Sequence, residues 1–391
     1  MARMIYAAYP RELEAAGANE FLGRLKGEIG IDAVNLAAAH PPLRVWTPRA
    51  ATHHHTICSS GGAQFIPDAA RYTGGRLRPH AGAWLKGRDA FGRIVESARD
   101  QGLGVEIRAT CLNDPGLVER YPHGACVSVF GDAHDARLCP SNPEVRQYLL
   151  GLVGDLARFG PESVELDDVG FGSGFGPQWY STDWLDRQSP EAALLRWCFC
   201  ASCLQRAKDS GVNGGAVRES VMSRLSLAAD SEADSTQTPG DLLGADGTLA
   251  GFETVRRATV ASLIRELAGG CAAPLWLTAV GMDPSSTLEE TINEAVAGIV
   301  VPFSSGHVAA AYEAIARAVP PDRIRASLRI RPPAVRSGSA LVAEVHKIAG
   351  EGFAAVQFEE DGGSPAHCLG WLRQAIRYAR RESGDPPVSE Q

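Results

Sequence analysis

Short apolar runs recur along this chain, and each is followed by a stretch whose apolar positions return at helical spacing. The first run, Met4 to Tyr9, leads into a helical pattern over Arg11–Ile29, and the second, Ile31 to Ala39, leads into a long loop from His40 to about Gly87 and a helix near Asp89–Gln101. Gly104 to Leu112 forms the third run, and Ser163 to Phe171 the fourth, with a helix from Pro143 to Phe159 before it. Proline at the first helical position gives that helix a clear start. After a long interruption the alternation resumes: Pro274–Val280, Gly298–Phe303, Ile324–Ile330 and Phe353–Phe358 read as strands, with helices over Thr287–Val296, Val308–Val319, Ser339–Gly350 and His367–Arg380. Eight strand–helix units predict an α/β fold, a single (β/α)8 TIM barrel with long strand-end loops, rather than an open sheet. The barrel is expected over residues 1–381, with a long loop at 41–87, a long loop or insertion at 172–248 and a flexible tail at 382–391. Helical signal returns within that insertion at Cys203–Lys208, and over Leu249–Leu267 after it. Ser226–Gly247, poor in large apolar side chains, reads as a mobile loop.

Side chains alternate across a strand, so one set faces the helices and the other fills the barrel. In the fourth run Val164 and Leu166 are the apolar set, which turns Glu165 and Asp167 inward and leaves Asp168 at the rim. The third run sends Glu106, Arg108 and Thr110 inward, the seventh Arg325, Ser327 and Arg329, the eighth Gln357 and Glu359, and the second Asn35. Such an interior is unusually charged. Buried ions must be paired, because an isolated one costs several kcal/mol, roughly. The deeper residues are therefore expected to form a lattice that satisfies itself. Those at the strand ends remain for a ligand, which polar and ionic walls predict to be polyhydroxylated or anionic.

Composition narrows the class. A formal net charge of −8 argues against a nucleic-acid surface, and no apolar run reaches the roughly 20 residues that cross a bilayer. The first ten residues lack the long apolar segment of a secretory signal, so a cytoplasmic protein is expected, with homo-oligomerisation left open. Nine cysteines, an odd number in a long chain, suit reduced thiols or a metal site better than a disulfide framework. Neither a G-x-G-x-x-G after the first run nor a Walker sequence occurs, and the G-x-S-x-G and H-E-x-x-H motifs are missing as well.

Three features carry chemistry. Asp167 or Asp168 on the fourth strand and Glu359 or Glu360 on the eighth supply two carboxylates across a cleft, the minimum for glycoside hydrolysis, in which one protonates the leaving oxygen while the other attacks or activates water. Around them Tyr6, Asn35, His40 and Arg108 are the expected substrate contacts on the early strands. Asn113, Trp179 and Arg329 join them from later positions. Loop aromatics such as Trp46, Trp84, Tyr180 and Trp184 either stack on sugar rings or pack the loops. Finally, Cys198-x-Cys200-x-x-Cys203 offers three thiolates with zinc-ligand spacing, the fourth ligand coming from Cys139, Cys126 or a loop histidine; such a site would be structural and would pin the strand-four loop. The run His53-His-His55 reads as a solvated loop, since consecutive imidazoles in an extended chain do not converge on one ion.

The order Leu138-Cys-Pro-Ser-Asn-Pro143, then Val164-Glu-Leu-Asp-Asp168, then Cys198-Phe-Cys-Ala-Ser-Cys203 resembles the glycoside-hydrolase-like TIM barrels of bacterial hypothetical glycosyl hydrolase families. The stretch covered is residues 137–205. The resemblance implies a strand-four Asp at the active site and makes Cys198, Cys200 and Cys203 metal ligands. A carbohydrate-active hydrolase of a small, anionic or neutral glycoside is the first expectation, without an organic cofactor. Two alternatives use the same scaffold: a metal-dependent lyase or isomerase of a sugar acid or sugar phosphate, favoured by the inward arginines, and a non-catalytic sugar-binding barrel.

Overall fold

The computed structural model describes residues 2–48, 55–59, 61–172, 189–230, 238–279, 289–360 and 362–382. Eight parallel strands close on themselves: β1 (Arg3–Ala8), β2 (Ala33–His40), β3 (Gly104–Thr110), β4 (Ser163–Asp167), β5 (Leu275–Thr278), β6 (Gly298–Ser304), β7 (Ile324–Arg329) and β8 (Ala355–Glu359). Each pairs with its sequence neighbours, and β1 pairs with both β2 and β8 to complete the ring. This is the predicted (β/α)8 barrel. In a ring of eight, β4 and β8 stand opposite one another, so acids at their C-terminal ends face across the mouth.

Local signals set the helix starts. Asn142 caps the helix Pro143–Ala157, its Oδ1 accepting from the backbone N–H of Glu144 at 2.9 Å, and Asp89 and Ser337 do the same for Ala90–Asp100 and Gly338–Gly350. The first helix departs from expectation. Instead of one helix over Arg11–Ile29, the chain forms Pro10–Ala16, then Ala18–Arg24, then a π-helical turn at Leu25–Ile29, with Gly17 at φ +81° making the break. Glycine adopts that left-handed conformation without a Cβ penalty.

The strand alternation reads as expected. Val105, Ile107, Val164, Leu166, Ala326, Leu328, Val356 and Phe358 join the buried layer between barrel and helices, and their polar neighbours turn inward. At the barrel floor, Glu106 takes Arg325 at 2.5 Å and Arg3 at 3.2 Å, Arg325 lies 3.7 Å from the centre of the Trp276 ring, and Ile5, Ala33 and Ala355 form a small apolar plug. Above them Glu165 accepts from Asn35 at 2.6 Å, Thr278 at 3.0 Å and Gln357 at 3.3 Å. The charged groups of the lower interior are thus each paired or hydrogen-bonded.

The insertion after β4 is richer in structure than its composition suggests. Pro190–Leu195, Ala201–Asp209, Gly214–Asp230 and Pro239–Ala245 are helices, and with Gly247–Gly270 they bury a second core around Leu194, Trp197, Phe199, Val217, Val221 and Phe252. Most of the described part of Ser226–Gly247 is helical rather than loop. Leu242 is buried and Leu243 packs beside it in the second core, which is enough to dock the short helix, while Leu227 stays exposed. Two hairpins also escaped the strand pattern, Leu43–Thr47 with His55–Ser59, and Ala125–Val127 with Ala133–Leu138. No helix among the described residues is long and apolar enough to cross a membrane.

Candidate active site

The C-terminal ends of the strands open into a cavity of about 400 Å³ lined by Tyr9, His40, Arg108, Thr110, Asp167, Thr278, Ser304, Ser327, Arg329, Arg331, Glu359 and Glu360, with Glu165 beneath. A second cavity, of about 310 Å³, lies beside the cysteines, between the Ala125–Leu138 hairpin and Leu195–Cys198.

Asp167 and Asp168 are adjacent in sequence but part ways. Asp168 has φ +60°, the left-handed region that Asp tolerates better than most residues. The turn this makes leaves Asp167 lining the mouth and sends the Asp168 side chain to Arg137, which is buried and also donates to the Gly170 carbonyl. Gly172, at φ +86°, lets the chain pass over that guanidinium; a Cβ there would meet Arg137 Cζ at 2.7 Å. Arg137 was not foreseen, because it lies on a hairpin strand that the sequence pattern did not reveal.

Two carboxylates remain facing each other, and their environments differ. Asp167 is pushed up to about 8, first by burial and then by the charges of Asp168 and Glu165; Thr110 Oγ1 lies 3.4 Å from its Oδ2. Glu359 is held below the usual glutamate range. Burial is the largest influence and works against ionisation, but the Arg108 charge and the hydrogen bonds from Arg108 at 2.6 Å, Gln357 at 2.9 Å and Ser327 at 3.1 Å together outweigh it. Glu360, by contrast, is buried and accepts from the backbone N–H groups of Gly362 at 2.7 Å and Ser364 at 3.2 Å. It lines the mouth but also orders the loop that follows β8.

The other expected contacts divide. His40 lines the mouth, its Nδ1 2.7 Å from the Pro41 carbonyl and its ring edge-on to Tyr9 at 4.9 Å; burial lowers its pKa to about 4, so it is neutral at physiological pH. Arg108 lies 5.3 Å from the Tyr9 ring centre, and Arg329 reaches the mouth from the end of β7. Asn35 points into the barrel as expected but lies below the cavity, bonded to Glu165 and Gln357. Tyr6 must be corrected: it is on the helix-facing set of β1, fully buried and edge-on to Phe21 at 5.9 Å, so it packs the core and cannot meet a ligand in the mouth. Asn113 forms a backbone bridge with Arg137 and does not line the cavity. Trp179, Tyr180, Trp184, His53 and His54 lie outside the described residues. Tyr9 is the mouth residue that the strand pattern could have supplied, since it ends the first apolar run.

The cysteines converge. Sγ atoms of Cys139, Cys198, Cys200 and Cys203 all lie within 4.8 Å of one another, with Cys139 at 3.5 Å from Cys200 and Cys203 and 3.8 Å from Cys198. These are non-bonded spacings, close to the roughly 3.8 Å between ligands of a tetrahedral ion with bonds of about 2.3 Å. The backbone N–H groups of Val127 and Ser141 point at Cys198 Sγ (3.3 Å) and Cys139 Sγ (3.4 Å), the outer contacts that steady thiolate ligands. Although burial opposes it, the surrounding thiols hold Cys198 well below the usual thiol range. The donor set suits a soft or borderline cation.

No family model matches the chain, and no curated protein does. Solved structures share its fold at low identity. An alpha-L-fucosidase isoenzyme from Paenibacillus thiaminolyticus aligns over 98% of this chain and 49% of its own, at 13% identity and TM-score 0.54. A beta-galactosidase from the psychrophilic Marinomonas ef1 aligns over 98% and 61%, at 12% and 0.53, and one from Halorubrum lacusprofundi over 96% and 58%, at 12% and 0.54. The chain therefore spans about half to three-fifths of the length of these proteins, and what it shares with them is the TIM-barrel fold of glycoside hydrolases.

Proposed function

We propose that the protein hydrolyses a glycosidic bond in the barrel mouth, with Asp167 as proton donor and Glu359 as the ionised partner that attacks the anomeric carbon or activates water. The observation that carries this reading is the opposite displacement of the two carboxyls: one is kept protonated near neutrality and the other kept ionised. Pairs whose environments push their pKa values apart are the mark of acid and base roles. Arg108, Ser327 and Gln357 orient Glu359, and Thr110 orients Asp167. Asp168 serves instead as the partner of Arg137, fixing the turn that presents Asp167. The fold likeness to a fucosidase and two galactosidases is consistent with a carbohydrate substrate.

The test is hydrolysis of a panel of 4-nitrophenyl glycosides of both anomeric configurations. Turnover by the wild type, lost on Asp167→Asn and on Glu359→Gln, is the expected result. A substrate that both variants cleave at the wild-type rate would sink the assignment.

We further infer that Cys139, Cys198, Cys200 and Cys203 hold a zinc ion as a closed structural clip. With four protein ligands the ion would have no open position for chemistry and would contribute folding energy. The clip would tie the hairpin that carries Arg137 to the insertion that follows β4. Elemental analysis of the purified protein should return one zinc per chain, and a Cys139→Ser variant should lose it.

A further inference from the structure

Three guanidinium groups face the mouth, and they are not equivalent. Arg108 is committed to Glu359 at 2.6 Å, and Arg331 stands 4.0 Å from Glu360. Arg329 is exposed at the end of β7 and, among the described residues, makes neither an ion pair nor a hydrogen bond. It is paired in register with Glu359 across the β7–β8 ladder. Side chains at paired positions share one face of a sheet, so the Arg329 head group emerges beside the carboxylate at the reacting centre.

A charge census of the cavity sharpens this. Arg108 offsets Glu359, and Arg331 offsets Glu360. Burial keeps His40 neutral and Asp167 largely protonated at neutral pH. Glu165 is occupied below by Asn35, Thr278 and Gln357. Among the described residues that line the opening, Arg329 is the guanidinium that no carboxylate holds, in a chain whose formal net charge is −8. The wall also carries the hydroxyls of Tyr9, Thr110, Thr278, Ser304 and Ser327, which suit a sugar ring. A planar guanidinium takes a carboxylate or sulfate through two parallel hydrogen bonds.

Resting on the hydrolase reading above, we propose that the substrate is a sugar bearing an anionic substituent, a carboxylate or a sulfate ester, on the ring bound in the mouth, and that Arg329 is the residue that selects it. Because Arg329 neighbours Glu359, the anion belongs to the ring being cleaved and not to a distant part of a chain.

The experiment is calorimetric titration of the full chain with D-glucuronate, D-glucose 6-sulfate and D-glucose, for the wild type, Arg329→Gln and Arg329→Lys. The wild type should bind one of the two anions at least about tenfold more tightly than glucose, with the preference shrinking as salt is added. Which anion wins distinguishes carboxylate from sulfate. Arg329→Gln should erase the preference while leaving the circular dichroism spectrum and melting temperature unchanged, and Arg329→Lys should keep part of it. Equal binding of charged and neutral sugars by the wild type, or a preference that survives Arg329→Gln, overturns the proposal. Two further outcomes separate it from the reading it rests on. Faster cleavage of neutral 4-nitrophenyl glycosides than of both the 4-nitrophenyl glucuronide and the 6-sulfated 4-nitrophenyl glucoside would leave the hydrolase reading standing and remove this one. An anion preference that depends on Arg329, without turnover of any glycoside, would do the reverse.

Discussion

The floor and the mouth of this barrel are built from the same alternation of inward polar residues, yet they differ in how charge is settled. On the floor, Glu106 takes both Arg325 and Arg3, and Arg325 also covers the Trp276 ring. At the mouth the matching is uneven: Asp167 is an acid held protonated, Glu359 is an acid held ionised, and Arg329 has an open guanidinium. A closed lattice fixes the barrel; an unbalanced one is available to a ligand. Ionisable residues at equivalent strand positions must therefore be judged by what already satisfies them. It also explains why Asp168, held by a buried arginine, belongs with the structural group despite its neighbour.

Substitutions can break that contrast. Asp167→Asn and Glu359→Gln should both reduce kcat by roughly 10² to 10⁴-fold in steady-state kinetics, with little shift in melting temperature for Asp167→Asn. On the floor the pattern should invert. Glu106→Ala strands the buried Arg325 charge and should cost about 3–5 kcal/mol of stability in urea unfolding, while the activity per folded molecule is retained. Asp168→Asn should also cost stability, because it removes the counter-charge of Arg137. The proposed zinc clip should give a smaller effect: Cys139→Ser, or prolonged chelation, should lower the unfolding free energy by about 3 kcal/mol, the size expected for a ligand present at some hundred times its dissociation constant.

The last prediction concerns pH. The Asp167 carboxyl lies near 3.8 in the unfolded chain and about 8 in the folded one. Between those values the folded state holds a proton that the unfolded state has released, so stability should fall as pH rises across that window. If Asp167 is the proton donor, as proposed, it is lost through the same upper value, and kcat/KM should decline above about pH 8. Asp167→Asn should flatten the stability slope; an unchanged slope would show that another group is responsible.

Much of this was legible in the chain. The period-two pattern of β3, β4, β7 and β8 separated helix-facing from inward residues, and it brought Arg108, Asp167, Arg329 and Glu359 to one end of the barrel. It was less informative for the insertion, where the apolar residues of Gly214–Asp230 are few and a satellite core recruits them. Tyr6 was misjudged as a ligand contact although the alternation of β1, with Met4 and Ala8 on the same side, places it against the helices.

The eight-unit barrel, the identity of its inward side chains and the Cys198–Cys203 spacing follow from periodicity within single elements and can be read from the chain alone. Only the tertiary structure decided which acid of the Asp167–Asp168 pair meets the cavity, which arginine is left open and which cysteine completes the set of four. Each of those depends on a partner far along the chain: Arg137 for Asp168, Glu359 for Arg108, and the Cys198–Cys203 loop for Cys139. Periodicity reports the face on which a side chain lies. The charge and geometry it meets there are set by which strands the closed barrel brings together.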